Sequence, residues 1–406
     1  MNVQGIKAKP SNSWFISGLG FAQICSWGSL YYSFPLLAEA IERELGWPKP
    51  ALYGALSVGV LLSAVLAYPV GAAIDRGKGR YVMAGASILA GMLLFAWSRI
   101  DTLPMFYILV AGIGALQAAT LYDPAFAVIA RRVGAKNARG GIVALTLWGG
   151  FASTVFVPII QLLIQFQGWR GALVVLAAVN IIICASLYFR AIDPARDVGV
   201  SGGPGSAAPS EGQVRRALGN PVFWLLAVAF TAYFASMTAF IFHLYPLLKE
   251  RLFDEVTIGM IIMVIGPAQV AGRFFIMMLA SKSSARRLGS IAVALFPLTM
   301  ALIWAGPPLF AAMLFAAALY GAVNGVMTIV RGLAIPEMVS PHAYGALNGI
   351  LAMPTIIAKA LAPLLAAWLW SLQSNYTLPM LAIVIGSLVM AVAFWWAALQ
   401  RPKTER

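Results

Sequence analysis

Apolar stretches of about 20 residues or more recur along the whole chain, and few folds are open to such stretches. A helix of that length covers the ~30 Å hydrocarbon core of a bilayer, whereas a spanning β-strand needs roughly half of it. A helix also pairs its own peptide groups where no water can. The stretches fall at roughly 14–38, 51–73, 81–98, 104–130, 138–164, 170–190, 221–247, 256–280, 287–305, 308–331, 343–370 and 378–399. The expected fold is therefore an all-α membrane protein with twelve transmembrane helices. Composition agrees: 61% of residues are hydrophobic and 10% charged, against about half and a quarter in soluble domains.

The net charge of +14 would suggest a nucleic-acid partner in a soluble protein. Its placement argues otherwise. With both termini on one side of twelve spans, nineteen of the 28 Lys and Arg fall on that side and six on the other. The positive-inside rule then puts both termini in the cytoplasm, so the basic excess needs no nucleic acid. The first 13 residues are polar and lack a signal-peptide cleavage pattern, so the first span is expected to be a permanent helix. Cys25 and Cys184 fall inside spans with no CxxC and no Cys/His cluster. They read as packing residues, and neither a metal site nor any other cofactor is expected. No Walker loop is present either.

Residues 192–220 form the longest hydrophilic stretch and are rich in Gly, Pro and Ser. Such a segment cannot bury a core and reads as a flexible linker. It divides the chain into an N-terminal six-helix half (1–191) and a C-terminal one (221–406). Repeats support the division. Tyr32-Ser-Phe-Pro-Leu-Leu matches His243-Leu-Tyr-Pro-Leu-Leu, Gly114-Ala-Leu-Gln matches Gly321-Ala-Val-Asn, and Gly140 with Pro158 matches Gly345 with Pro363. The offsets lie between 205 and 211. Repeated halves imply a site between them near the bilayer midplane, reached by rocking one half on the other.

Three cations remain within the spans: Arg273, Arg331 and Lys359. A fixed charge at the midplane costs roughly 2.5–3.5 kcal/mol on insertion scales, so it persists where a partner or a water path receives it. Asp123 is the one acid at comparable depth. The missing negative charge is expected to arrive with a small organic anion. Arg273 offers a planar donor fork matched to a carboxylate and Lys359 a compact point charge. The alternatives are an arginine packed on carbonyls and a lysine that snorkels. Gln269 lies one turn before Arg273 on the same face. Tyr320, Asn324, Thr328 and Arg331 form a polar stripe on the tenth span, facing either water or a neighbouring helix. Arg331 lies nearer the cytoplasmic mouth. Asp123 sits at similar depth in the other half, so a bridge between them would close that exit in one state. Asp123 is also a candidate proton site. His243 is a candidate to donate to an anion or carry a proton, or it is simply hydrogen-bonded. Tyr32, with Tyr31 and Trp148, would wall an aromatic cavity, or these are packing residues.

The turn between the second and third spans reads Gly71-Ala-Ala-Ile-Asp75-Arg76-Gly77-Lys78-Gly79-Arg80. Gly71 permits close helix contact, Asp75 can cap a helix end, and the basic run anchors a short turn. It resembles the major facilitator superfamily signature Gly-x-x-x-Asp-Arg-x-Gly-Arg, with Arg80 displaced by one residue. The Gly-Trp-Arg at 168–170 adds to the resemblance, which covers the whole chain. It implies a conformational role for Gly71, Asp75, Arg76 and Arg80, and a path lined by spans one, four, seven and ten with help from eight and eleven. A basic residue in each of spans eight and eleven resembles the oxalate–formate antiporter group, and the Gln269–Arg273 pair resembles the monocarboxylate transporters. The implied protein is a monomeric multi-pass carrier of the bacterial inner membrane. It would not be an enzyme, would lie in the lipid bilayer, and would move a small organic anion with a proton or a counter-anion. The competing readings are a proton-coupled drug efflux carrier, which would favour membrane acids over bases, and a non-transporting receptor.

Overall fold

The computed structural model describes residues 12–197, 211–279 and 283–400. Residues 198–210 of the expected linker lie outside that range, as do Lys7, Lys9, Lys282, Arg401, Lys403 and Arg406 of the basic side. Among the described residues every regular element is helical. Helix α1 (Asn12–Trp27) passes through a π-turn into α2 (Ser33–Leu45), followed by α3 (Lys49–Ala73) and, after the turn Ile74–Lys78, α4 (Gly79–Trp97). Next come α5 (Leu103–Thr120), α6 (Tyr122–Val133), α7 (Arg139–Gly150), α8 (Ala152–Ala178) and α9 (Ala185–Ala191). Beyond the gap lie α10 (Glu211–Leu218), α11 (Pro221–Glu250), α12 (Glu255–Met263), α13 (Ile265–Leu279), α14 (Ala285–Ala305), α15 (Phe310–Ala334), α16 (Tyr344–Gln373) and α17 (Thr377–Leu399). The chain is a multi-pass membrane protein. Among the described residues nine helical stretches are long and apolar enough to cross a bilayer. Two of them, Pro50–Trp97 and Arg139–Arg196, contain a glycine with positive φ, Gly77 (+83°) and Gly168 (+68°), at which the chain reverses.

Caps and breaks follow from local chemistry. Asn220 Oδ1 accepts from Val222 N at 3.0 Å ahead of Pro221, and Asp254 Oδ1 accepts from Val256 and Thr257 N at 3.1 and 3.0 Å. Each side chain satisfies a helix-start donor that lacks a partner within the helix. Between α5 and α6, Pro124 has no N–H to return to the Thr120 carbonyl. Gln23 Nε2 (2.7 Å) and Tyr188 OH (3.1 Å) donate to that carbonyl instead. The break leaves Asp123 in the first turn of α6, where the helix dipole favours a negative charge.

The packing is of membrane type. Val65, Ile108, Ile182, Phe315 and Leu364 are 64% to 66% exposed, a liability in water and a lipid contact in a bilayer. Small residues bring backbones together inside the bundle. A methyl group on Gly114 would lie 2.6 Å from Gly59 Cα, and one on Gly321 would run into the Ile265 carbonyl. The matched glycines thus do the same job, α5 on α3 and α15 on α13.

Candidate functional site

Four turns and a helix start meet at one end of the bundle, which carries most of the basic loop residues. Gly71 of α3 abuts Gly345 of α16, leaving no room for a side chain at either position. Four residues on, the Asp75 carboxylate accepts from Gly345 N and Ala346 N, each at 2.8 Å. One acid thereby caps the start of a helix 270 residues away and interacts favourably with its dipole. Arg131 donates to the Asp75 carbonyl and, at 2.7 Å, to Asp197. Burial pushes the Asp197 carboxyl up, and the Arg131 and Arg132 guanidinium groups pull it back. Arg80 donates to the Ile192 carbonyl at 2.5 Å, and Arg76 is exposed. The signature loop therefore joins two tasks, clasping α16 and holding the 192–197 segment. Beside it, Arg139 Nη2 pairs with Glu337 Oε1 at 2.8 Å, while Glu337 Oε2 accepts from Ala285 N at 2.6 Å.

One layer deeper, Arg331 is 6% exposed, with Nη2 3.7 Å from Asp123 Oδ1 and Nη1 donating to Asn348 Oδ1. Its guanidinium stands 5.6 Å over the Phe230 ring. A cavity of about 30 Å³, the volume of roughly one water, is lined by Asp123, Pro124, Asn348 and Gly345. Lys359 belongs to this cluster. Its Nζ is 3.9 Å from the Phe234 ring centroid, within the range of a cation–π contact, and it feels the charges of Asp123 and Arg331.

Arg273 occupies a second cluster, deeper again. It is 6% exposed, Nη1 donates to the Thr146 carbonyl at 2.9 Å, and Nη2 lies 3.5 Å from Thr328 Oγ1. Nε is buried without a hydrogen-bond partner. Gly150 keeps the approach open, since a methyl group there would lie 3.0 Å from Arg273 Nη1. Tyr32, Tyr122 and Tyr233 all lie within reach of the guanidinium's field. The Tyr122 ring stacks on Phe126 with centroids 5.3 Å apart and is 4.8 Å from Trp27, which in turn sits 5.2 Å from Tyr31 and 6.2 Å from Tyr32. An aromatic wall from α1, the π-turn that follows it and α6 thus faces a buried cation from α13.

The remaining candidates lie around these clusters. Asn324 Oδ1 accepts from Tyr233 OH, and Gln269 is half-buried one turn before Arg273, its carbonyl against Gly325. Tyr320 packs between Phe240 and Phe296 at 5.0 and 5.8 Å, with its hydroxyl buried and unpaired. His243 has both ring nitrogens engaged, Nδ1 with Tyr376 OH and Nε2 with the Pro363 carbonyl, each at 3.1 Å. Because a carbonyl only accepts, Nε2 is the donor and Nδ1 accepts from the tyrosine. Trp148 is two residues from Thr146 and so on the opposite face of α7, where it covers Gly20 of α1.

Three partners here were not singled out in the sequence: Asn348, the Thr146 carbonyl, and the Arg139–Glu337 pair. The pair left a signal, an exposed-end Arg and Glu at matching ends of the fifth and tenth spans. A backbone carbonyl leaves none.

A multi-pass helical bundle of this kind, with nine stretches among the described residues long and apolar enough to span a bilayer and with cations buried among its helices, has the architecture of a membrane carrier. The sequence profile of the Major Facilitator Superfamily matches residues 19–266 and 237–406, and the chain belongs to that superfamily. Its members are transporters and not enzymes. Among curated proteins it is similar to monocarboxylate transporter 13 of Bos taurus, at 25% identity over 94% of this chain and 86% of the relative. Monocarboxylate transporter 11 of Homo sapiens is also 25% identical, over 95% of this chain and 81% of the relative. Among solved structures it shares its fold with the human organic anion transporter MFSD10 (TETRAN), with a TM-score of 0.72 at 15% identity over 96% of this chain and all of that one. The Escherichia coli fucose:proton symporter FucP gives 0.67 at 14% identity over 93% and 98%.

Proposed function

We propose that the chain is a secondary active carrier of small carboxylates, monocarboxylates foremost, working by alternating access between halves 1–191 and 221–406. The helical run 12–45, the nine apolar stretches, and the reversals that divide two of them at Gly77 and Gly168 support the count of twelve spans. The matched contacts of Gly114 and Gly321 support two equivalent halves.

The observation that carries the reading is Arg273. Its guanidinium is buried between the halves with only neutral partners, Thr146 from one and Thr328 from the other, and its Nε has none. A buried charge held this way is completed by an anion, and guanidinium suits a carboxylate. Arg331 and Lys359 face the single carboxylate of Asp123, so with Arg273 these cations exceed the acids by two, and charge alone leaves room for a mono- or a dicarboxylate. The names of the curated relatives favour a monocarboxylate over oxalate. Drug or cation efflux gains no support from a site whose deepest charge is positive. The basic end, read as cytoplasmic, is bridged by the Asp75, Arg139–Glu337 and Asp123–Arg331 contacts, which supports reading these contacts as the closed gate on that side. Asp123, half-exposed beside a water-sized cavity, is the candidate for proton coupling.

Counterflow in proteoliposomes tests this, with labelled monocarboxylates, oxalate and an organic cation, each with and without a pH gradient. Saturable exchange of a monocarboxylate is the expected result. Exchange of the cation alone would overturn the reading.

A further inference from the structure

At the basic end, away from the interface between the halves, the first turns of α14 and the last turns of α17 enclose a cleft of about 530 Å³. Its walls are Ser284, Arg286, Arg287, Ser290, Trp395 and Leu399. Transport chemistry uses none of them.

Among the described residues the walls of the cleft carry two cations and no acid. Arg286 spends Nη1 on the carbonyls of Ala398 and Gln400, at 2.7 and 2.6 Å, which ties the end of α17 to α14. Its Nη2 is enclosed and has no hydrogen-bond partner. Arg287 is exposed beside it, with its backbone N–H donated to the capping Ser284 Oγ at 3.3 Å. The first turn of the 21-residue α14 lies at the same spot, but its Ala285 N–H is taken by Glu337 and its Arg287 N–H by Ser284, so the arginine side chains and not the helix start supply the positive charge. The other side of the cleft is apolar and outward-facing. Trp395 is 41% exposed with Nε1 donating to the Ser290 carbonyl at 3.1 Å, Trp396 is 58% exposed and Leu399 81%. Tryptophans so placed mark the headgroup level of a bilayer.

We propose that this cleft binds a phosphate-bearing anion carrying an acyl tail, that is, the headgroup of an anionic phospholipid. The phosphate takes the exposed guanidinium of Arg287, with the charge of Arg286 held beside it by the α17 carbonyls, and the tail descends along Trp395 and Leu399. Basic pockets of this depth on one membrane face are the known setting for anionic headgroups. A free phosphate would use the same arginines but leave the apolar wall in contact with nothing, so the lipid is the better match.

The test uses the full-length protein, purified and probed by native mass spectrometry with phosphatidylglycerol and phosphatidylcholine of identical chains. Phosphatidylglycerol should be retained about tenfold better, and Arg287→Gln should lose about fivefold of that, the value of one basic residue at a membrane surface. Because Arg286→Gln also loosens α17, the exposed Arg287 is the deciding variant. Arg190→Gln, exposed on α9, is the control for surface charge and should change nothing. Equal retention of the two lipids, or equal loss in Arg287→Gln and Arg190→Gln, overturns the site. Displacement of phosphatidylglycerol by inorganic phosphate at equal concentration reassigns it to a free anion.

Discussion

The two ends of the bundle are held together in different ways. At the far end, Arg170 pairs with Glu44 and, at 2.6 Å, with Asp101, and Trp169 Nε1 donates to Glu44 at 2.8 Å. Arg251 donates to the Ile303 and Gly306 carbonyls. Each of these sets stays within residues 12–197 or within 211–400. At the basic end, Asp75 with Gly345 and Ala346, Arg139 with Glu337, and Asp123 with Arg331 cross from one part to the other, and so, deeper in the bundle, does Arg273 with the Thr146 carbonyl. The far-end contacts can survive a separation of the two parts, whereas the basic-end contacts cannot. A contact made in one state alone shifts the balance of states, and one kept in both does not.

The largest effect is expected at the deepest crossing contact. Arg273→Lys keeps the charge but loses the fork, and transport should fall about 100-fold with expression intact, since hydrogen bonds to a charged group contribute roughly 1.5–3 kcal/mol. Initial uptake rates in proteoliposomes report it, and unchanged affinity and rate would remove Arg273 from the site.

Next comes the clasp. Asp75→Asn replaces a charged cap with a neutral one and should move the balance toward opening at the basic end by about 1–2 kcal/mol, or roughly 5- to 30-fold. Labelling rates of single cysteines placed at the basic end measure the shift. The Asp123–Arg331 pair should act in the same direction but less strongly, because Asp123 is 49% exposed while its partner is 7%. Either neutralisation should open the basic end, and the double change should recover part of the loss. If the losses simply add, the two residues do not meet in function, and Asp123 then stands as a proton site alone.

Lys359→Gln should weaken oxalate more than a monocarboxylate, by a few-fold, if the ammonium serves the second carboxylate. Equal losses in competition assays would leave it with Asp123 alone. The smallest effect is predicted at the far end. Arg170→Gln breaks two exposed pairs worth about 0–1 kcal/mol each and should leave cysteine accessibility at the basic end unchanged. A shift equal to that of Asp75→Asn would erase the contrast between the ends.

The helices, the basic-side bias and the placement of the Arg273 charge within a span were legible in the sequence. Each follows from one strong term, the cost of exposing peptide groups or charge to hydrocarbon, which acts on residues one at a time. The close contact through Gly71 was legible too, because only the lack of a side chain was needed. Lys359 shows the limit. The sequence could place it in a span but not choose between Arg273 and Asp123 as its neighbour, and the structure puts it with Asp123 over Phe234. Trp148 and Thr146 are two residues apart and face opposite sides of α7, a distinction set by which helix packs where. The capping of α16 by Asp75 and the Arg139–Glu337 bridge join residues separated by 270 and 198 positions. Sequence alone thus determined what must be buried in lipid and which charges need an explanation. Only the tertiary structure decided which partners answer them, because a hydrogen bond depends on a few tenths of an ångström between helices that hydropathy leaves free to slide and turn.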